Sequence, residues 1–259
     1  MGNYYARKFF EKDEVAIAIE ESYMPLSEGS KIPITKTGIV VALSDRMDSL
    51  SSYIGIGLIP TSSKDPYALR RAAIGVLRIL IETQTSMDLR KIISEEKVLD
   101  FVISKMKGVL TEYGFSSADI EMCGVYSSFD PYNIYKCVEA ISNLAGSSKN
   151  FVRLLEVYKR IKGSVGEEKN LEFSEKKLEA EQEKELYKTI ISLEIKYKNY
   201  LKNRNYSDAF ETLTELINPL ESFFDNVRVQ VEEESLKKNR VALLQIPYKW
   251  ISSTLELSK

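Results

Sequence analysis

Residues 64–82, KDPYALRRAAIGVLRILIE, limit what this chain can fold into more than any other stretch. Asp65 is a good N-cap and Pro66 suits the first helical position, so the spacing predicts a helix over 66–82. At about 100° per residue, Leu69, Ala73, Val76, Leu77 and Leu80 share one side. Ala68, Ala72, Gly75 and Ile79 make a flank of mostly small residues where a second helix can approach closely. Arg70, Arg71 and Arg78 fall on a third side, with Tyr67 and Ile74 between them. A helix of this kind needs protein on two sides, so its neighbours are expected to be helices as well.

The rest of the chain reads the same way. Residues 13–23 predict a short helix with Val15, Ala16, Ile19 and Tyr23 on one face, closed by Met24-Pro25. Thr35 or Thr37 opens a helix to about Tyr53, and two glycines with Pro60 break the chain before Asp65. Asp88 precedes helices over 89–93 and 95–113, with Gly114 as C-cap. Ser116 to Asp119 caps a short helix to Met122, and Asp130-Pro131 starts another to Gly146. Residues 149–165 carry a broad apolar face of Phe151, Leu154, Leu155, Val157, Tyr158 and Ile161, with Lys149, Arg153 and Arg160 opposite. Residues 163–185 are rich in Glu and Lys and read as a charged linker or an exposed helix start. Helices follow through Leu186–Leu201, from a Ser207 cap, from Asn218-Pro219, and from Glu234 or Ser235. Pro247 is expected to end or kink the last of these, with a short helix from Trp250 to Leu257.

Composition removes several classes of function. There is no His, which eliminates the commonest general base and the commonest zinc ligand. The two cysteines, Cys123 and Cys137, lack metal-ligand spacing and are expected to be buried thiols. Asp45 and Asp48 sit three apart on one helix face; without imidazoles they are expected to pair with Arg70 or Arg71 rather than hold a metal. The formal net charge is −2, so a nucleic-acid partner would be held by local basic patches. No secretory leader and no apolar run of membrane-spanning length is read.

Three runs point further: EVAIAIEESYMP at 14–25, VALSDRMDSL at 41–50 with YIGIGLIPTSSKDPYALRRAAIGVLRILIE at 53–82, and FFDNVRVQVEEESLKKNRVALL at 223–244. In this order they resemble the β subunit of bacterial heterotetrameric glycyl-tRNA synthetase, and the resemblance extends over essentially the whole chain. It covers the last two-fifths or so of that family's β chain, which implies a C-terminal portion. The implied fold is all-α: residues 1–85 would end a His-Asp-like helical domain, and 86–259 would form a helical anticodon-binding domain like that of arginyl-type synthetases. In that comparison Asp45 matches a late metal-site Asp while Ser22 stands where His is common, and Val227, Val229 and Val231 lie in a turn between helices rather than a strand.

The resemblance also implies a division of labour. A separate α subunit, using ATP and Mg, would perform adenylate formation and glycyl transfer. This chain would recognise tRNA-Gly in the cytoplasm without charging it, and would need no cofactor of its own. Candidate tRNA-binding residues are Arg153, Lys159, Arg160, Arg228, Lys238, Asn239 and Arg240, with Tyr158 and Tyr248 as nearby aromatics; none is catalytic. Such residues suit the task because phosphates are held by Lys and Arg, and unstacked loop bases by stacking and hydrogen bonds. The alternatives are a phosphohydrolase remnant around Asp45 and Asp48, or a helical scaffold that docks only onto proteins.

Overall fold

A computed structural model describes every residue except Glu28, Ser62, Ser63, Tyr126, Ser127, 167–170 and 257–259. The described residues form an all-α protein. Outside the helices their only β pairing is an isolated antiparallel bridge between Cys123 and Leu255. The chain divides into two compact units, Met1–Ser117 with Tyr126–Tyr135, and Ala118–Val125 with Lys136–Lys259.

The first unit contains α1 (Gly2–Lys8), α2 (Asp13–Glu21), α3 (Lys36–Gly55), α4 (Leu69–Glu82), α5 (Leu89–Ile92) and α6 (Glu96–Glu112). The apolar side predicted for α4 is its core face: Leu69, Ala73, Val76, Leu77 and Leu80 are all fully buried. Each large side chain of this set is worth about 1.5–3 kcal/mol of transfer free energy. The predicted start of α4 needs correction. Ala68 takes a left-handed conformation (φ 54°) and the helix begins at Leu69. Asp65 still caps it, accepting the Leu69 and Arg70 amides at 2.8 and 3.0 Å. On α2 the buried residues are Ala16, Ala18 and Glu21, whereas Val15 and Tyr23 of the expected face are exposed.

The small flank of α4 does admit a second helix. A methyl at Gly75 would come within 2.6 Å of the Arg46 Nε of α3. Arg46 is held there because it closes the end of α2, donating to the carbonyls of Ser22, Ala42, Tyr23 and Pro25 at 3.0, 2.9, 3.0 and 3.3 Å. Burial pulls this guanidinium down from its usual pKa, partly offset by the charge of Asp45. Arg78 does the same for the following loop, donating to Ser27 and Ser30 carbonyls and to Glu82.

A boundary was expected after residue 85, yet the first unit runs on to Ser117. The reason is that α6 packs on α3 and α4, while Tyr113 donates its hydroxyl to Glu82 at 2.8 Å. Phe129, fully buried, accepts the Leu89 amide and draws 128–135 into the same unit.

Next along the chain come α7 (Ser117–Met122), α8 (Pro131–Ala145), α9 (Lys149–Val165), α10 (Glu181–Lys202), α11 (Tyr206–Thr214), α12 (Ile217–Asn226) and α13 (Glu234–Ser252). The second unit is built on the last five, α9 packing on α11, α12 and α13, and α10 on the same three helices. Phe151, Phe210 and Phe223 fill its centre, and Tyr197 stacks on Trp250 with centroids 5.1 Å apart. Cys123 and Cys137 are both buried, unbridged thiols. Two capping expectations change: Asn205, not Ser207, caps α11, and α13 runs through Pro247 to Ser252 without a separate last helix. Leu257, the expected end of that helix, lies outside the described residues.

Candidate nucleic-acid interface

The basic side of α9 faces α12, which meets it with acids. Arg153 donates to Glu221 at 2.6 Å and to Asn218 at 3.3 Å. Arg160 reaches Asp225 at 3.4 Å and lies 4.7 Å from the ring centroid of Phe224. Both arginines remain about half exposed. Exposed pairs of this kind are worth about 0–1 kcal/mol, so a phosphate can replace the carboxylate at little cost. Lys159, Arg228 and Lys238 are exposed and make no side-chain ion pair among the described residues.

Asn239 and Arg240 are different, and the expectation that they face RNA is corrected by their burial. Asn239 accepts the Ser174 amide at 2.8 Å and donates to the Ser174 carbonyl at 3.1 Å. Arg240 Nε donates to Glu183 at 2.5 Å, and its Nη1 to the Arg228 carbonyl at 2.9 Å. Glu183 is wholly buried; its other oxygen accepts the amides of Glu179 and Ala180 at 2.7 and 3.0 Å. This is the N3 carboxylate of a helix start reaching back to cap it, here anchored by a cation from α13. The expected linker over 163–185 is therefore largely structured: α9 continues to Val165, the described residues from Leu171 are fastened to α13, and α10 begins at Glu181.

Tyr158 and Tyr248, the expected base-stacking aromatics, stack on each other instead. Burial, followed by the neighbouring Tyr248 and Glu256, pushes the Tyr158 phenol up to about 12.

In the first unit, Asp45 and Asp48 are exposed and make no ion pair with Arg70 or Arg71, against expectation. Those roles fall to Arg46 and Arg78, and to Glu21, which accepts the Ile34 and Thr35 amides and the Thr35 hydroxyl. Among the described residues no group of three or more His, Cys, Asp or Glu side chains is arranged to hold a metal ion. None of their helices is long and apolar enough to cross a membrane.

Sequence comparisons fit this architecture. Residues 150–258, most of the second unit, match the family described as DALR anticodon binding domain. Fold and match together place the second unit among helical domains of the anticodon-binding class. Residues 1–123 match the family described as glycyl-tRNA synthetase beta subunit. Curated proteins named glycine–tRNA ligase beta subunit align along almost the whole chain. That of Sulfurihydrogenibium sp. (strain YO3AOP1) is 36% identical over 248 residues, covering 95% of this chain and 36% of the relative. That of Halothermothrix orenii is 32% identical over 277 residues, covering 100% and 40%. That of Pseudomonas fluorescens (strain Pf0-1) is 32% identical over 264 residues, covering 94% and 38%. The chain belongs to the glycyl-tRNA synthetase β-subunit family, and it spans less than half the length of these relatives.

Proposed function

We propose that this chain recognises tRNA-Gly for a glycine–tRNA ligase, gripping the anticodon region through its second unit while a separate α subunit performs the chemistry. The observation that carries the reading is the coincidence of the anticodon-binding match, residues 150–258, with a helical unit displaying cations on α9 and α13 and the turn between α12 and α13. In this reading Lys159, Arg228 and Lys238 meet phosphates directly. Arg153 and Arg160 do so by releasing Glu221 and Asp225, and Phe224 beside Arg160 offers a ring to a base. ATP and Mg belong to the α subunit, and the assembly works in the cytoplasm, where tRNA is charged.

The test is titration of the chain with labelled tRNA-Gly at two salt concentrations, together with footprinting. Binding should weaken steeply with salt, because each phosphate contact releases a counterion. Anticodon-loop protection should fade in Arg160→Ala and Arg228→Ala. Salt-independent binding, or protection confined to the acceptor end, would refute the assignment.

A further inference from the structure

Among the described residues one buried side-chain polar atom has no hydrogen-bond partner: Nη2 of Arg70, in the first unit. An unpaired buried donor on a charged group is costly, so a native structure that keeps one calls for an explanation. Arg70 lines a cleft of two lobes, about 390 and 420 Å³, which share Pro25, Leu26, Ala68 and Arg71. Four arginines reach this cleft. Two are already occupied: Arg46 by four backbone carbonyls, and Arg78 by two carbonyls and Glu82.

Arg70 and Arg71 are not occupied in this way. Among the described residues Arg71 reaches only the Leu26 carbonyl, at 3.5 Å, and neither arginine forms an ion pair. Two acids line the lobe of Arg70: Asp65 spends both carboxylate oxygens on the amides that start α4, and Glu112, at the end of α6, has an interaction of its own. Asp45 lines the other lobe, where its charge acts on Arg46. Two guanidinia that line one lobe with spare donors suit an anion carrying several oxygens in a tetrahedral array. Tyr67, stacked on Tyr53 at 4.3 Å, lines the first lobe together with Arg71 and is nearly half exposed.

We propose that Arg70 and Arg71 form a phosphate-binding site in this cleft, taking the phosphate of a nucleotide unit, separate from the anticodon surface. The same chemistry is offered by a nucleotide within an RNA strand and by a free nucleotide. No bond is made or broken in the cleft.

The experiment compares wild type, Arg70→Met and Arg71→Gln by calorimetry with inorganic phosphate and with AMP, and by tRNA titration over a salt series. If the source is a free nucleotide, AMP binds saturably and both variants weaken it about ten- to a hundredfold. If the source is RNA, AMP binds no better than phosphate does, and each variant makes the slope of log K against log salt shallower by about 0.7–0.9. In either case Arg70→Met leaves the unliganded unfolding midpoint unchanged or raises it, since it removes an unpaired buried donor, and Arg71→Gln, on the exposed side, folds normally.

Equal affinity for all three ligands in wild type and variants would overturn the proposal. So would a marked fall in the midpoint of Arg70→Met, which would make Arg70 a structural residue. The tRNA arm alone rests on the function proposed above. If wild type ignores tRNA, that reading fails while AMP binding still decides the free-nucleotide arm; if tRNA binding responds to Arg228→Ala but to neither cleft variant, and AMP does not bind, the cleft alone is refuted.

Discussion

Arg240→Ala tests whether the Asn-Arg pair of α13 acts on RNA or on the fold. Its guanidinium is the sole cation facing Glu183 in the ion pairs of the described residues, and Glu183 is wholly buried. Truncation leaves that carboxylate with two amide donors and no countercharge, and strands the Arg228 carbonyl. Breaking a buried pair from one side costs about 3–5 kcal/mol. For a unit of this size that lowers the unfolding midpoint by roughly 10 °C or more. The double variant Glu183→Gln with Arg240→Met removes both charges and keeps an amide oxygen for the cap, so it should regain at least half of the loss. Thermal and urea unfolding of the second unit, followed by Trp250 fluorescence, measures both. Arg240→Ala of unchanged stability and reduced tRNA affinity would refute the reasoning and return Arg240 to the interface.

Other consequences follow from the same geometry. Gly38→Ala places a methyl on top of the Glu21 carboxylate that ties Ile34 and Thr35 to α2, and should cost about 2 kcal/mol or more in urea unfolding of the first unit. Arg78→Ala should cost about 1–3 kcal/mol by leaving the Ser27 and Ser30 carbonyls unpaired, and should speed proteolysis in the loop before α3. The Tyr158 phenol is held up to about 12, against an ordinary value near 10. The unfolded chain therefore loses this proton first, and stability should fall as pH rises from about 10 to about 12. Tyr158→Phe should flatten that part of the stability–pH curve, measured by denaturant midpoints across the range.

Helix content was legible because it follows from local rules: apolar periodicity, Asp and Thr caps, and the absence of turn pairs that would join strands. The core face of α4 and the caps at Thr35, Asp65, Asp88 and Asp130 are what those rules describe. Errors came where a second element intervened. Ser207 and Asn205 are equally good caps in isolation, and Pro247 stops a helix only where no partner supports both its flanks. The exposed cations Lys159, Arg228 and Lys238 were visible as charges, while their lack of side-chain ion pairs among the described residues was not.

Amino-acid order alone determined the class of fold and the family, because hydrophobic spacing and extended matching runs need no coordinates to be read. Tertiary structure decided which arginines are exposed and which are buried. Arg160 and Arg240 look alike as letters beside helical apolar faces; one meets Asp225 in water, and the other is desolvated against Glu183 from a helix 57 positions away. The worth of a charge depends on its dielectric surroundings and its partner, and both are set by residues distant in the chain.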